Sequence, residues 1–89
     1  MSKELNLFKL REEINKIDAI LLLLLKKRFK ISEDIGKYKV KNNLPVEDKK
    51  REKEIVNSRI AISGLNKEFI SDLFNLIFKE SKRLQRGLR

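Results

Sequence analysis

The sequence predicts an all-α chain of three helices, the first much longer than the other two. Three observations lead there. Apolar residues recur alternately three and four positions apart through the first forty residues, which is the period of a helix seam and not of a strand. The 89 residues include three Gly and one Pro, so the closely spaced turns of a sandwich or barrel are missing. Hydrophobic residues make up 40% and charged residues 39%, too apolar a mixture for a disordered tail. A chain this short makes one domain, residues 1–89.

The first helix carries the strongest signal. Leu7, Leu10, Ile14, Ile17, Leu21, Leu24, Arg28, Ile31, Ile35 and Tyr38 form one heptad seam, with neither Pro nor Gly before Gly36. A helix from about residue 5 to 41 is roughly 54 Å long at the usual rise. The rest of the chain is too small to cover such a rod. The seam therefore predicts a partner chain in a symmetric dimer.

Lys41–Asn42–Asn43–Leu44–Pro45 ends that helix, because Asn favours turns and the residue before Pro is pushed out of the α region. A second helix is expected from near Glu47 or Asp48 to about Ile62, with Ile55, Val56, Ile60 and Ile62 as its apolar members. Ser63–Gly64 supplies a stop, since Gly accepts the left-handed conformation found there. Asn66 is placed to cap a third helix running to about Gln85 or Leu88, with Ile70, Leu73, Phe74, Ile77, Phe78, Leu84 and Leu88 as its stripe.

Composition removes several chemistries. Cysteine and histidine are absent, which excludes disulfide scaffolds, Cys or His zinc sites, thiol nucleophiles and Ser-His-Asp catalysis. The longest apolar run, Ala19–Leu25, is far short of the ~20 residues of a membrane span. Lys26, Lys27 and Arg28 follow it without a small-residue cleavage site, so neither a membrane location nor a signal peptide is expected. The chain reads as cytoplasmic.

Two interruptions of the apolar pattern point to a site. Arg28 occupies a seam position among Leu and Ile, where a charge is costly unless it is paired. Ser81 lies on the stripe of the third helix and Gln85 one turn beyond it, on the same face. A guanidinium, a hydroxyl and an amide in an apolar interior describe a pocket for a small anionic ligand. Arg28 and Lys39 are about 20° apart in azimuth and ~16 Å apart along the helix, so both can reach into one pocket between them. Arg11 lies ~25 Å from Arg28 along the rod and can share a site with it only from the other chain of an antiparallel pair. Asp48, Arg51 and Glu52 share one face after the Pro turn, at the same end as Lys39.

Each residue also has a plainer role. Arg28 can set register or reach out to solvent, and Ser81 can bond its own helix. Asp48 can serve only as an N-cap, and Glu52 as a first-turn charge favoured by the helix dipole. Arg11 and Lys39 can be ordinary solvated charges. It is the spacing of the whole set that argues for a site.

That spacing resembles the all-helical class of chorismate mutases over nearly the whole chain, roughly Leu7 to Leu88. The likeness is carried by LREEINKIDAILLLLLKKR, IGKYK, PVEDKKRE and FISDLFNLIFKESKRLQ. It implies an intertwined helical homodimer of three-helix chains that share their long first helices, with two identical pockets for chorismate, which is rearranged to prephenate. By that resemblance Arg11 enters the partner's pocket, and Arg11 and Arg28 hold the two substrate carboxylates with help from Ser81. Lys39 and Gln85 donate to the ether oxygen. Glu52 fixes the ring hydroxyl with the backbone around Asp48, and Arg51 adds positive charge. Ile35, Ile55 and Phe78 form pocket walls, with Phe78 larger than the aliphatic residue expected there.

The reaction so implied is unimolecular and needs no nucleophile, general base, metal or organic cofactor, in keeping with a chain that lacks His and Cys. The formal charge of +9, from 22 Lys and Arg against 13 Asp and Glu, suits a dianionic substrate. Lys79, Lys82, Arg83, Arg86 and Arg89 read as a solvated face. Two rivals remain: a lyase that removes pyruvate from isochorismate on the same scaffold, and a basic helical dimer that binds nucleic acid. The second is disfavoured, because the basic residues are spread around the helices and stacking aromatics are few. A purely structural coiled coil accounts for the seam but not for Arg28, Ser81 and Gln85.

Overall fold

A computed structural model of the chain describes residues 6–87; the expected stripe member Leu88, and Arg89, lie outside them. Three helices follow in order: α1 (Leu7–Lys41), α2 (Lys49–Ser63) and α3 (Lys67–Gln85). No strand occurs among the described residues. None of the helices is long and apolar enough to cross a membrane.

Local chemistry sets each boundary. Asn6 caps α1, its side-chain oxygen accepting from the N–H groups of Phe8 at 2.9 Å and Lys9 at 3.3 Å. This places the start slightly later than the seam alone indicates. At the other end Asn43 takes a positive φ of 55°. The Leu44 N–H donates to the Lys39 carbonyl at 2.8 Å, and that of Asn43 to the Val40 carbonyl at 3.3 Å. These paired bonds close the helix with a left-handed residue, and Pro45 keeps it from resuming. The Asp48 carboxylate caps α2 through the Arg51 N–H at 3.0 Å. Gly64 ends α2 at φ 66°, and Asn66 caps α3 through the Phe69 N–H at 2.8 Å.

Packing centres on α3, which lies against both α1 and α2, while α1 and α2 do not pack on each other. Contacts of Ser32 with Ser81 and of Gly36 with Gln85 give α1 and α3 the same direction. Glu52 meets Lys82 and Arg59 meets Phe74, so α2 runs against α3. The two flanking helices therefore stand apart across α3, leaving a cleft whose floor is α3.

The face of α1 that meets α3 is not its Leu/Ile seam. Ser32 and Gly36 are the buried residues of α1, and they lie one helical turn apart. A Cβ on Gly36 would stand 2.6 Å from Cα and 2.7 Å from the carbonyl oxygen of Gln85. Only glycine allows the two backbones this approach.

The seam itself remains uncovered by the other described residues: Ile17 is 63% and Leu24 56% exposed. Among the described residues the buried apolar core is small: Ile55, Ile70, Ile77 and Phe78. Full burial of a Leu or Ile side chain is worth about 1.5–3 kcal/mol, so the exposed seam of α1 leaves a large apolar stabilisation unused by the contacts among the described residues.

Candidate active site

The cleft between α1 and α2 contains a cavity of about 510 Å³, within the roughly 300–1,000 Å³ of small-molecule sites. From α1 it is lined by Arg28, Ile31, Ser32, Ile35 and Lys39. The turn and α2 add Val46, Asp48, Arg51, Glu52 and Ile55. From α3 come Phe78, Ser81, Lys82 and Gln85. Every site residue expected from the sequence lines this one cavity except Arg11, which is exposed on the far part of α1.

Arg28 is half-buried, and its Nη1 donates to Ser81 Oγ at 3.3 Å. Ser32 Oγ also donates to Ser81 Oγ, at 3.1 Å. Ser32 and Ser81 are each only 4% exposed. With both lone pairs of Ser81 engaged, its own O–H is left to donate to a ligand. The Arg28 guanidinium lies 6.0 Å from the centroid of Phe78, a cation–π distance. The large side chain of Phe78 thus forms a wall and a platform for the cation, and the cavity persists beside it.

Phe74 stands 6.2 Å from Phe78, and Arg59 lies over the other ring at 6.0 Å. Burial first, and then the charge of Arg59, hold the Arg28 guanidinium below its ordinary pKa. An arginine remains cationic even so. Among the described residues its hydrogen bond goes to a neutral hydroxyl, which leaves donors for an incoming carboxylate.

Lys39 is held from the opposite end of the cavity. Its Nζ donates to the Val46 carbonyl at 2.8 Å, a bond that exists because the Asn43–Pro45 turn folds the chain back over the last turn of α1. Gln85 sits across from it on α3, anchored where α3 touches Gly36. Its Oε1 is buried without a hydrogen-bond partner among the described residues. A buried amide oxygen of this kind calls for a donor.

The acidic corner is arranged by α2. Asp48 is both the cap of α2 and part of the lining, so its plain role and its place in the cavity coexist. Glu52 does not project freely: its Oε2 is 3.1 Å from Lys82 Nζ. This corrects the reading of Lys82 as part of a solvated face. Its side chain is 21% exposed, because α3 turns it into the gap between Glu52 and Glu47. The neighbours Lys79 and Arg86 are exposed as expected, and Arg83 forms a two-point contact with Glu80, both bonds at 2.7 Å.

Sequence reasoning missed Ser32, Lys82, Val46 and Ile31. For Ser32 a signal existed: Ser32 and Gly36 form a small-residue pair one turn apart, beside the apolar seam. Nothing separated Lys82 from the other 21 cations except its eventual neighbours.

Comparison with known proteins places this arrangement in a family. Residues 10–86 match the family described as chorismate mutase type II. The chain is 37% identical over 91 residues to a bifunctional chorismate mutase/prephenate dehydratase of Buchnera aphidicola subsp. Schizaphis graminum, covering 99% of this chain and 24% of that protein. The enzyme of the same description from Escherichia coli is 34% identical over 91 residues, again with 99% and 24% covered. The chain thus spans about a quarter of the length of these curated relatives. A solved structure, a conserved hypothetical protein from Pyrococcus furiosus, superposes with a TM-score of 0.78 at 39% identity, over 94% of this chain and 100% of that one. The three-helix chain, with its cations, amide and carboxylates gathered round one cleft, belongs to the chorismate mutase type II family.

Proposed function

We propose that the chain catalyses the Claisen rearrangement of chorismate to prephenate, as a homodimer in which each pocket borrows Arg11 of the partner subunit. The observation that carries this reading is the single cavity lined by Arg28, Lys39, Asp48, Arg51, Glu52, Ser81 and Gln85. Two cations at opposite ends of an apolar-walled cleft suit a substrate with two carboxylates and a polar bridge between them.

The reaction breaks one C–O bond and forms one C–C bond within a single molecule. The protein has two tasks: to hold the enolpyruvyl arm folded over the ring, and to stabilise negative charge growing on the ether oxygen. Arg28, with Arg11 of the partner subunit, takes the carboxylates, and Ser81 donates its free O–H. Lys39 and the Gln85 amide meet the ether oxygen. Glu52 accepts from the ring hydroxyl beside the backbone of Asp48, and Arg51 adds to the positive field. Ile35, Ile55 and Phe78 keep water from the reacting face.

Support for the dimer comes from the uncovered α1 seam and from the position of Arg11. That side chain is too far along the same rod, at ~25 Å by helical rise, to share a small ligand with Arg28 of its own chain. In an antiparallel pair of α1 helices the same offset carries Arg11 toward the opposite pocket.

The direct test follows the loss of chorismate absorbance with purified protein and identifies the product. Prephenate supports the reading. No turnover of chorismate, or efficient release of salicylate and pyruvate from isochorismate in its place, removes it.

Two further outcomes follow. Gln85 donates without titrating, so kcat is expected to stay flat from about pH 6 to about pH 8; a carboxyl in that position would lose activity as it ionised. Arg11→Ala and Arg28→Ala chains, each inactive alone, are expected to regain about a quarter of the parental rate after equal mixing and exchange. Half the dimers are then mixed, and each mixed dimer has one intact pocket. Mass spectrometry of the mixture verifies exchange, and exchange without recovery rules out shared pockets.

A further inference from the structure

Lys82 is the one charged residue of the cavity lining to which the roles assigned above give no part. Its Nζ lies 3.1 Å from Glu52 Oε2 and 3.6 Å from Glu47 Oε1. Both Lys82 and Glu52 are largely covered, at 21% and 24% side-chain exposure. The neighbouring Lys49–Glu47 pair, by contrast, is 3.8 Å apart with Lys49 84% exposed. Exposed pairs of that kind contribute little, whereas a desolvated charge pair is held more firmly.

The location adds a second observation. Glu52 and Lys82 line the substrate cavity and also a separate cavity of about 440 Å³ between α2 and α3. The ion pair is the wall between the two spaces. Without it, the Glu52 carboxylate has room to rotate away into the second cavity.

We infer that Lys82 is a positioning residue for Glu52, holding its carboxylate against the substrate cavity so that it meets the ring hydroxyl of the substrate. This rests on the reading of the cavity as a chorismate site. A carboxylate held on one side by an ammonium keeps lone pairs free for a hydroxyl donor. The ring hydroxyl does not react, so its bond to Glu52 is made equally in the ground and transition states. Interactions of that kind act on KM and leave kcat nearly unchanged.

The experiment measures chorismate kinetics for the parent, Lys82→Met, Lys82→Arg, Glu52→Ala and the double variant Glu52→Ala/Lys82→Met, with helicity checked for each. Lys82→Met is expected to raise KM about tenfold, the scale of one hydrogen bond to a charged group. Its kcat is expected to stay within about threefold. Lys82→Arg, which keeps the cation, is expected to restore most of the loss. In the Glu52→Ala background the Lys82→Met change is expected to add less than about twofold, because no carboxylate remains to be held.

An unchanged KM in Lys82→Met overturns the assignment. So does a loss that persists in full on Glu52→Ala, since Lys82 would then act on the substrate itself. An inactive parent removes the chorismate reading, and the assignment with it; an active parent with an unaffected Lys82→Met removes the assignment alone.

Discussion

Lys39→Ala is expected to lower kcat by about 10²–10³-fold, the usual loss when one donor to a developing oxyanion is removed. The ammonium is fixed by the Val46 carbonyl at 2.8 Å and lines the cavity across from Gln85 on α3. Charge on the ether oxygen is small in the ground state and large as the C–O bond breaks. Removing a cation there therefore acts on the transition state, and KM should change much less than kcat. Arg28→Ala is expected to be at least as damaging to kcat/KM and to abolish measurable turnover, because the enolpyruvyl arm is no longer held over the ring by its carboxylate. Both side chains are outside the buried apolar core, so circular dichroism should show intact helices in each variant. A Lys39→Ala enzyme turning over within about threefold of the parent would leave the ether oxygen without its assigned cation.

Gly36→Ala is expected to damage stability and rate together. A Cβ at this position would lie 2.6 Å from Gln85 Cα, 2.7 Å from its carbonyl oxygen and 3.0 Å from its Cβ. Two of these neighbours are backbone of a packed helix, so no side-chain rotation relieves the overlap, and α3 must shift as a body. Overpacking of this type costs about 1–3 kcal/mol. Against it stands the better helix propensity of Ala, which favours the substitution by about 1 kcal/mol.

The sign of the change in Tm therefore reports on the contact: melting at a lower temperature is expected, and a rise shows that α1 and α3 do not approach so closely. The same shift displaces Gln85 and Ser81 from the cavity. A displacement of about 1 Å in a positioning group can cost ~10²-fold, so kcat should fall by at least about tenfold even at temperatures where the variant is fully folded. Normal kcat in a folded Gly36→Ala chain would detach the helix contact from catalysis.

Much of the fold was legible because its determinants are local. Asn66, Gly64 and Asp48 each act within a few residues of their own backbone, by accepting an N–H or tolerating a left-handed φ. The α1 seam was legible because a helix repeats its azimuth from residue to residue. The candidate site was legible to the same extent: Arg28 and Lys39 share one face of one helix, as do Ser81 and Gln85, and Asp48, Arg51 and Glu52. Within each helix the spacing alone determines which side chains look the same way.

Spacing along one helix does not say which face of another helix it meets. Only the tertiary structure placed α3 on the Ser32–Gly36 face of α1, kept the Leu/Ile seam free and made Gly36 the point of nearest approach to Gln85. It also decided the direction of Lys82, since a long flexible cation on a helix flank points to water or inward according to the carboxylates brought near it. Those carboxylates, Glu47 and Glu52, come from segments more than a helix length away in the chain. Local chemistry determines helices and their faces; contacts between distant segments determine which faces are joined and what the joined surfaces enclose.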